Sequence, residues 1–239
     1  MLQSTPICRP TLVQSYLTGG GYHVFEVTGI RTEIVHTWMS LESDRLENFV
    51  VVDLSVGHER LFRSIGAIPA SLFTPESGIN PDKVGLKLPQ TFSSHQTLRL
   101  TVANLGDEPA TINADLLGYL PTDLPNLEML VPVGYGSMSV KEWAYIHTRP
   151  SEPIVPYYLH VPKGVHSRIQ VMSLLSNNNP SEKSTSPLLD LPTTVVNLGP
   201  NPIVAPKHNI TLTVQKRDRN DHEEVNFQAV VLGRPATPG

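Results

Sequence analysis

Two stretches of this chain, about half its length apart, carry the same pattern: a strand, a polar turn, a second strand, and a glycine followed by Tyr or Arg. The first copy runs Leu98-Arg99-Leu100-Thr101-Val102, then the turn 104–109, then Ile112 to Gly118. The second runs Ile210-Thr211-Leu212-Thr213-Val214, then 217–222, then Val225 to Gly233. In both, apolar residues fall on alternate positions, as a half-buried strand requires because successive side chains point to opposite faces of a sheet. Leu98, Leu100 and Val102 match Ile210, Leu212 and Val214 at an offset of 112. Ile112, Ala114, Leu116 and Gly118 match Phe227, Ala229, Val231 and Gly233 at 115, so the turn absorbs the difference. Each copy reads as an antiparallel hairpin whose glycine makes a close turn, and the pair as an internal duplication, with coincidental strand chemistry as the alternative.

Duplication divides 239 residues into two domains of ordinary size, each long enough to bury a core. Charged residues make up 17% of the chain against a typical quarter, and there are 22 prolines, a balance that suits β-structure rich in loops. The formal net charge of -4, without a basic run, argues against sequence-specific binding to nucleic acid. The single Cys8 excludes an internal disulfide framework, and the N-terminus shows neither a basic region nor a continuous apolar core of a secretion signal. No apolar stretch reaches the roughly 18 residues that span a bilayer. A soluble chain made in a reducing cytosol is the expectation, with the sequon at Asn209-Ile210-Thr211 an accident of β composition.

The expected organisation is an arm over 1–21, a first β-sandwich over 22–121, a Pro-rich linker over 122–153 and a second β-sandwich over 154–239. Pro6, Pro10 and the run Gly19-Gly20-Gly21 mark the arm and a flexible joint. Tyr22 to Val35 predicts two short strands, and Asn48 to Val56 a stronger one. Pro69, Pro75, Pro81 and Pro89 predict an irregular loop over 64–97, and 173–206 reads as its counterpart, each preceding one copy of the repeat. A further, weaker match sets Val52–Val56 beside Tyr157–Val161. Within the linker, Ser139 with Glu142 three positions on predicts a capped helical turn over 139–146, with Trp143 pinning the linker to a domain. Trp38 is expected in a core.

The signatures of catalysis are missing: there is no His-Glu-x-x-His, no Gly-x-Ser-x-Gly, no Gly-x-x-x-x-Gly-Lys and no Cys-x-x-Cys. Nine histidines, at 23, 36, 58, 95, 147, 160, 166, 208 and 222, fall at no metal-ligand spacing, and most are expected to be surface or strand residues with ordinary partners. The cluster Asp218-Arg219-Asn220-Asp221-His222-Glu223-Glu224 offers carboxylates to a calcium ion but lacks the glycine of a tight binding loop, and it occupies the turn where the repeat demands polar residues anyway. Cys8 in a Pro-flanked arm makes a poor nucleophile. The sequence therefore predicts no catalytic, cofactor-binding or metal site and no enzyme.

Two successive all-β halves of about 110 to 120 residues, each with a long loop before its closing hairpin, resemble the double jelly-roll major capsid proteins of tailless bacteriophages such as corticoviruses and finnlakeviruses. The resemblance is one of architecture rather than motif, and it covers most of the chain through the repeat at 98–118 and 210–233. It implies an all-β fold of two tandem antiparallel jelly-roll sandwiches with few short helices. It also implies a virion structural protein, made in the host cytoplasm, that forms homotrimers of pseudo-hexagonal outline and packs them into an icosahedral shell. Implied partners are the chain itself, other virion proteins and an internal membrane reached by the N-terminal arm. The alternatives are another phage structural protein (decoration, tail or spike base), a non-viral β-sandwich binding module, and a carbohydrate-binding or cupin-like enzyme. The last needs exposed aromatics or a His-rich face, and aromatics are only 6% of the chain.

Overall fold

The computed structural model describes residues 15–17, 19–28, 33–62, 67–77, 79–80, 83–92, 95–119, 128–148, 150, 153–161, 168–176, 195–197, 210–218 and 222–236. Its strands in chain order are β1 (Ser15–Leu17), β2 (Tyr22–Val27), β3 (Ile34–Glu42), β4 (Phe49–Val56), β5 (Glu59–Arg60), β6 (Ile68–Pro69), β7 (Val84–Phe92), β8 (Leu98–Asn104), β9 (Ala110–Tyr119), β10 (Glu128–Val140), β11 (Trp143–Thr148), β12 (Ile154–His160), β13 (Ile169–Ser176), β14 (Val195–Asn197), β15 (Ile210–Lys216) and β16 (Val225–Pro235). Helix among the described residues is confined to 3-10 turns at Leu46–Asn48, Ala70–Phe73 and Pro75–Ser77. The chain divides into two compact units, Met1–Leu130 and Val131–Gly239.

In the first unit, one sheet has the order β1-β9-β3-β7, extended by a short parallel pairing of Glu128–Leu130 with β7, and the other has β2-β8-β4-β5. Successive long strands alternate between the two sheets, which is the winding of a jelly roll. The second unit repeats it with β10-β16-β12-β14 and β11-β15-β13. The all-β, tandem jelly-roll expectation is thus met. Alternation places Leu98, Leu100 and Val102 inside, and on β9 Ile112, Ala114 and Leu116, every one of them buried.

The repeat holds in a way the sequence does not state. β8 and β9 do not pair: β8 lies between β2 and β4, and β9 between β1 and β3. Each copy is therefore a crossing from one sheet to the other and not a hairpin. Gly118 and Gly233 lie inside β9 and β16 rather than at a turn, opposite Thr37 and Pro156. The ladders nevertheless confirm both offsets. Tyr22 pairs with Ala103 and Trp143 with Gln215, while Phe49 pairs with Asn104 and Ile169 with Lys216, so β8 and β15 correspond at 112 along both neighbours. Leu17 pairs with Ala110 and Val140 with Val225, the 115 of the outgoing strands. Even the irregularities coincide, since the register slips at Val51/Asp53 in β4 and at Val171/Ser173 in β13, opposite Val102/Thr101 and Val214/Thr213. A β-bulge inserts one residue into one strand of a pair, and here both units insert it at the same rung. The weaker match of Val52–Val56 with Tyr157–Val161 fails, because β4 corresponds to β13 and not to β12.

Other expectations are corrected. The stretch over 64–97 contains β7, a nine-residue strand that passes through Pro89. It does so because the β3–β7 register jumps from Ile34↔Phe92 to His36↔Lys87, which leaves Pro89 outside the ladder where its missing N–H costs nothing. Loop 173–206 likewise begins with the end of β13 and holds β14. Residues 139–146 form no helix: β10 ends at Val140 and β11 begins at Trp143, so the stretch read as a linker consists largely of strand. The arm contributes β1 to the first sheet, while residues 1–14, with Cys8, lie outside the described residues. The joint Gly19-Gly20-Gly21 is a packed turn. Gly20 adopts φ 70, its N–H donates to Gly106 O at 3.2 Å, and a Cβ at Gly19 would overlap the backbone carbonyl of Asp107.

Candidate assembly surface

Sheet order decides which backbone stays open. β2 and β11 end their sheets, and among the described residues nothing pairs with their outer edges. Exposed edges usually carry charge, proline or a covering element, because a row of free N–H and C=O groups templates pairing with another chain. On β2 the side chains on the outer face are instead Tyr22, 75% exposed, and Val24, 36% exposed, followed by Glu26, whose carboxylate is tied to Arg99 Nε at 2.7 Å. On β11 the residue at the same rung as Val24 is Tyr145, 58% exposed: Val24 stands opposite Thr101 and Tyr145 opposite Thr213. Among the described residues the one other large exposed apolar side chain is Leu105, just past β8. The inner face of β2 is ordinary core, with Phe25 buried and His23 stacked edge-on to it at 4.7 Å.

The corner beside each edge is built the same way in both units. Asn104 N–H donates to Gly21 O at 2.8 Å and Lys216 N–H to Glu142 O at 3.0 Å; Leu105 N–H donates to Asn48 O at 2.7 Å and Arg217 N–H to Arg168 O at 2.9 Å. Side chains then lace the crossing. The Asn104 amide donates to Glu108 O at 2.9 Å and accepts from Gly106 N–H, whereas in the second unit the buried Lys216 ammonium donates to Glu223 O. Glu108 and Glu223 correspond at 115, so an amide and an ammonium perform the same closure over turns of different length.

Of the remaining polar groups of the interior, one holds a turn. Asp53, buried on β4, accepts Arg60 Nε at 2.6 Å and Phe62 N–H at 3.2 Å, which holds the turn after β5. Trp38 is core, as expected, tilted against Phe73 with centroids 5.2 Å apart. Trp143 opens β11. His58, His95 and His222 are exposed. His36 and His160 are strand residues, in β3 and β12, and both are buried: among the described residues His36 lacks the ordinary partner expected of it and is held below its ordinary pKa by burial and then by Lys87, and His160 is pushed down to about 3 by burial. Asp218, His222, Glu223 and Glu224 are exposed, Arg219–Asp221 lie outside the described residues, and no three His, Cys, Asp or Glu side chains come together among the described residues. No helix among them is long and apolar enough to cross a membrane.

The edge residues escaped the sequence reading. A signal was present, since Tyr22-His23-Val24-Phe25-Glu26-Val27 is apolar on both faces, which a solvated strand does not need.

No protein-family model matches the chain, and no curated protein matches it. Among solved structures it is similar to PNGase F, a glycosylasparaginase from Flavobacterium meningosepticum, at 10% identity and a TM-score of 0.35, over 95% of this chain and 97% of that one.

Proposed function

We propose that the chain is a structural protein of a virion, a major capsid protein whose trimers tile an icosahedral shell. The observation that supports this most is the pairing of two register-matched jelly rolls with an exposed apolar residue at the same rung of each free edge strand. One chain then offers the same kind of contact twice, and three chains offer it six times, which suits a pseudo-hexagonal capsomer built from identical subunits. Edge backbone and apolar side chains are satisfied by neighbours in a lattice, a function that requires no catalytic group or cofactor. Partners in this reading are further copies of the chain, other virion proteins, and a membrane beneath the shell approached by the residues ahead of β1.

Light scattering on the purified protein, followed by electron microscopy of the same sample, tests it. Trimers that grow into sheets or closed shells are expected. Tyr145→Ser combined with Tyr22→Ser should leave the fold intact and shift the mass towards the monomer. A wild-type monomer over a wide concentration range would overturn the proposal in favour of a β-sandwich binding module.

A further inference from the structure

We propose that His36 makes the pairing of β3 with β7 in the first unit acid-labile, so that a proton taken up by one imidazole loosens that sheet. His36 is 4% exposed, and neither ring nitrogen has a hydrogen-bond partner among the described residues. A neutral imidazole tolerates this poorly and a charged one much worse, because imidazolium carries two N–H donors and a full charge.

Among the described residues, the groups that face the ring offer it no acceptor carboxylate. From β7 comes Lys87, directly opposite, a like charge. From β9 comes Tyr119, directly opposite and buried. The 3-10 turn Ala70–Phe73, which meets β3 where Phe73 packs on Trp38, carries no titratable side chain. Asp115 shares that face of β9 but stands opposite Ser40, four residues along β3, about 13 Å away at roughly 3.3 Å per residue. Among the described residues the proton thus arrives beside a cation and without a counter-charge.

The ring's pKa, lowered by burial and by Lys87, agrees in sign with this geometry. A base whose folded pKa lies below its unfolded value binds its proton more readily when unfolded. Stability is therefore complete above about pH 6.5 and falls as the pH drops below it. Opening should begin locally, because the ladder is already interrupted between Ile34 and His36 and few hydrogen bonds must break. His160 on β12 is also buried, and burial pushes its pKa down to about 3, so the comparison is drawn with β13 and β15, which lie in the other sheet of the second unit. The device operates whether or not the chain assembles.

Amide hydrogen exchange on the intact chain at pH 7.5 and 5.0, corrected for the intrinsic rate, reads it directly. Peptides covering Ile34–Glu42 and Val84–Phe92 should gain on the order of tenfold in exchange at pH 5.0 relative to β13 and β15. His36→Leu should abolish that gain, and Lys87→Gln, a change at an exposed side chain, should reduce it. An equal gain in β13 and β15, or a wild-type pH dependence retained in either variant, would overturn the proposal. If His36→Leu does not fold, the Lys87→Gln comparison and the imidazole titration followed by NMR decide it: a His36 midpoint at or above 6.5 counts against the device and one well below counts for it.

Discussion

The two jelly rolls differ most where they are most alike. At the start of each sheet crossing, Asn104 and Lys216 occupy the same rung, make the same backbone bond to the preceding strand link and close the same carbonyl, yet one side chain is a short amide and the other a long ammonium. Their neighbours differ as freely, with Asn48 and Leu105 in one unit where the other has Arg168 and Arg217. What the units share is a grid of main-chain hydrogen bonds, and what they vary is the side chains that secure it. A β ladder tolerates this because its bonds come from groups that every residue except proline carries.

Three sets of substitutions sharpen or break the comparison. The largest effect is expected at Gly19, where the first unit spends four residues between β1 and β2 and the second spends two between β10 and β11. Gly19→Val forces a side chain into the Asp107 carbonyl and should cost more than about 3 kcal/mol in denaturant unfolding of the first unit. An effect below 1 kcal/mol would mean that the glycine turn is not packed against the crossing.

Next come Val102→Ala and Val214→Ala, both fully buried and both opposite the bulge. Each should cost about 2 kcal/mol. If the two losses differ widely, the cores are not equivalent in packing even though their registers coincide. The smallest effects are expected at the lacing itself, where Asn104→Ala and Lys216→Met each remove one closing donor and should cost about 1 to 2 kcal/mol. Asn104→Lys should not restore the closure, because that ammonium is fitted to a longer turn.

How much of this was legible in the sequence follows from what side-chain alternation reports. Alternation tells which face of a strand is buried, and so the offsets of 112 and 115 between the copies were correct down to single rungs. It does not tell which strand lies alongside. Asn104 to Pro109 suits a hairpin as well as a crossing between sheets, and the hairpin was the wrong choice. Pro89 concealed β7 because a proline can sit in a strand when a register jump removes the need for its N–H. Ser139 and Glu142 imitated a helix cap, although Val140, Trp143, Tyr145 and Ile146 around them favour a strand. The two-faced apolar pattern of Tyr22-His23-Val24-Phe25-Glu26-Val27 marked one edge strand, but which edges stay open and that His36 is buried depend on sheet order, which strand periodicity leaves undetermined.

The coincident bulges of β4 and β13 also bear on how such a chain finds its native state. When two ladders share rungs and even share an inserted residue, β13 can dock beside β8 with most of its backbone bonds formed, and β4 can do the same beside β15. Nascent strands of one unit are then credible partners for the other, the kind of trap that tandem repeats face during folding. Divergent side chains at the crossings disfavour such exchanges, and the general tendency of domains to fold as units from the N-terminus during synthesis shortens the time in which they can form.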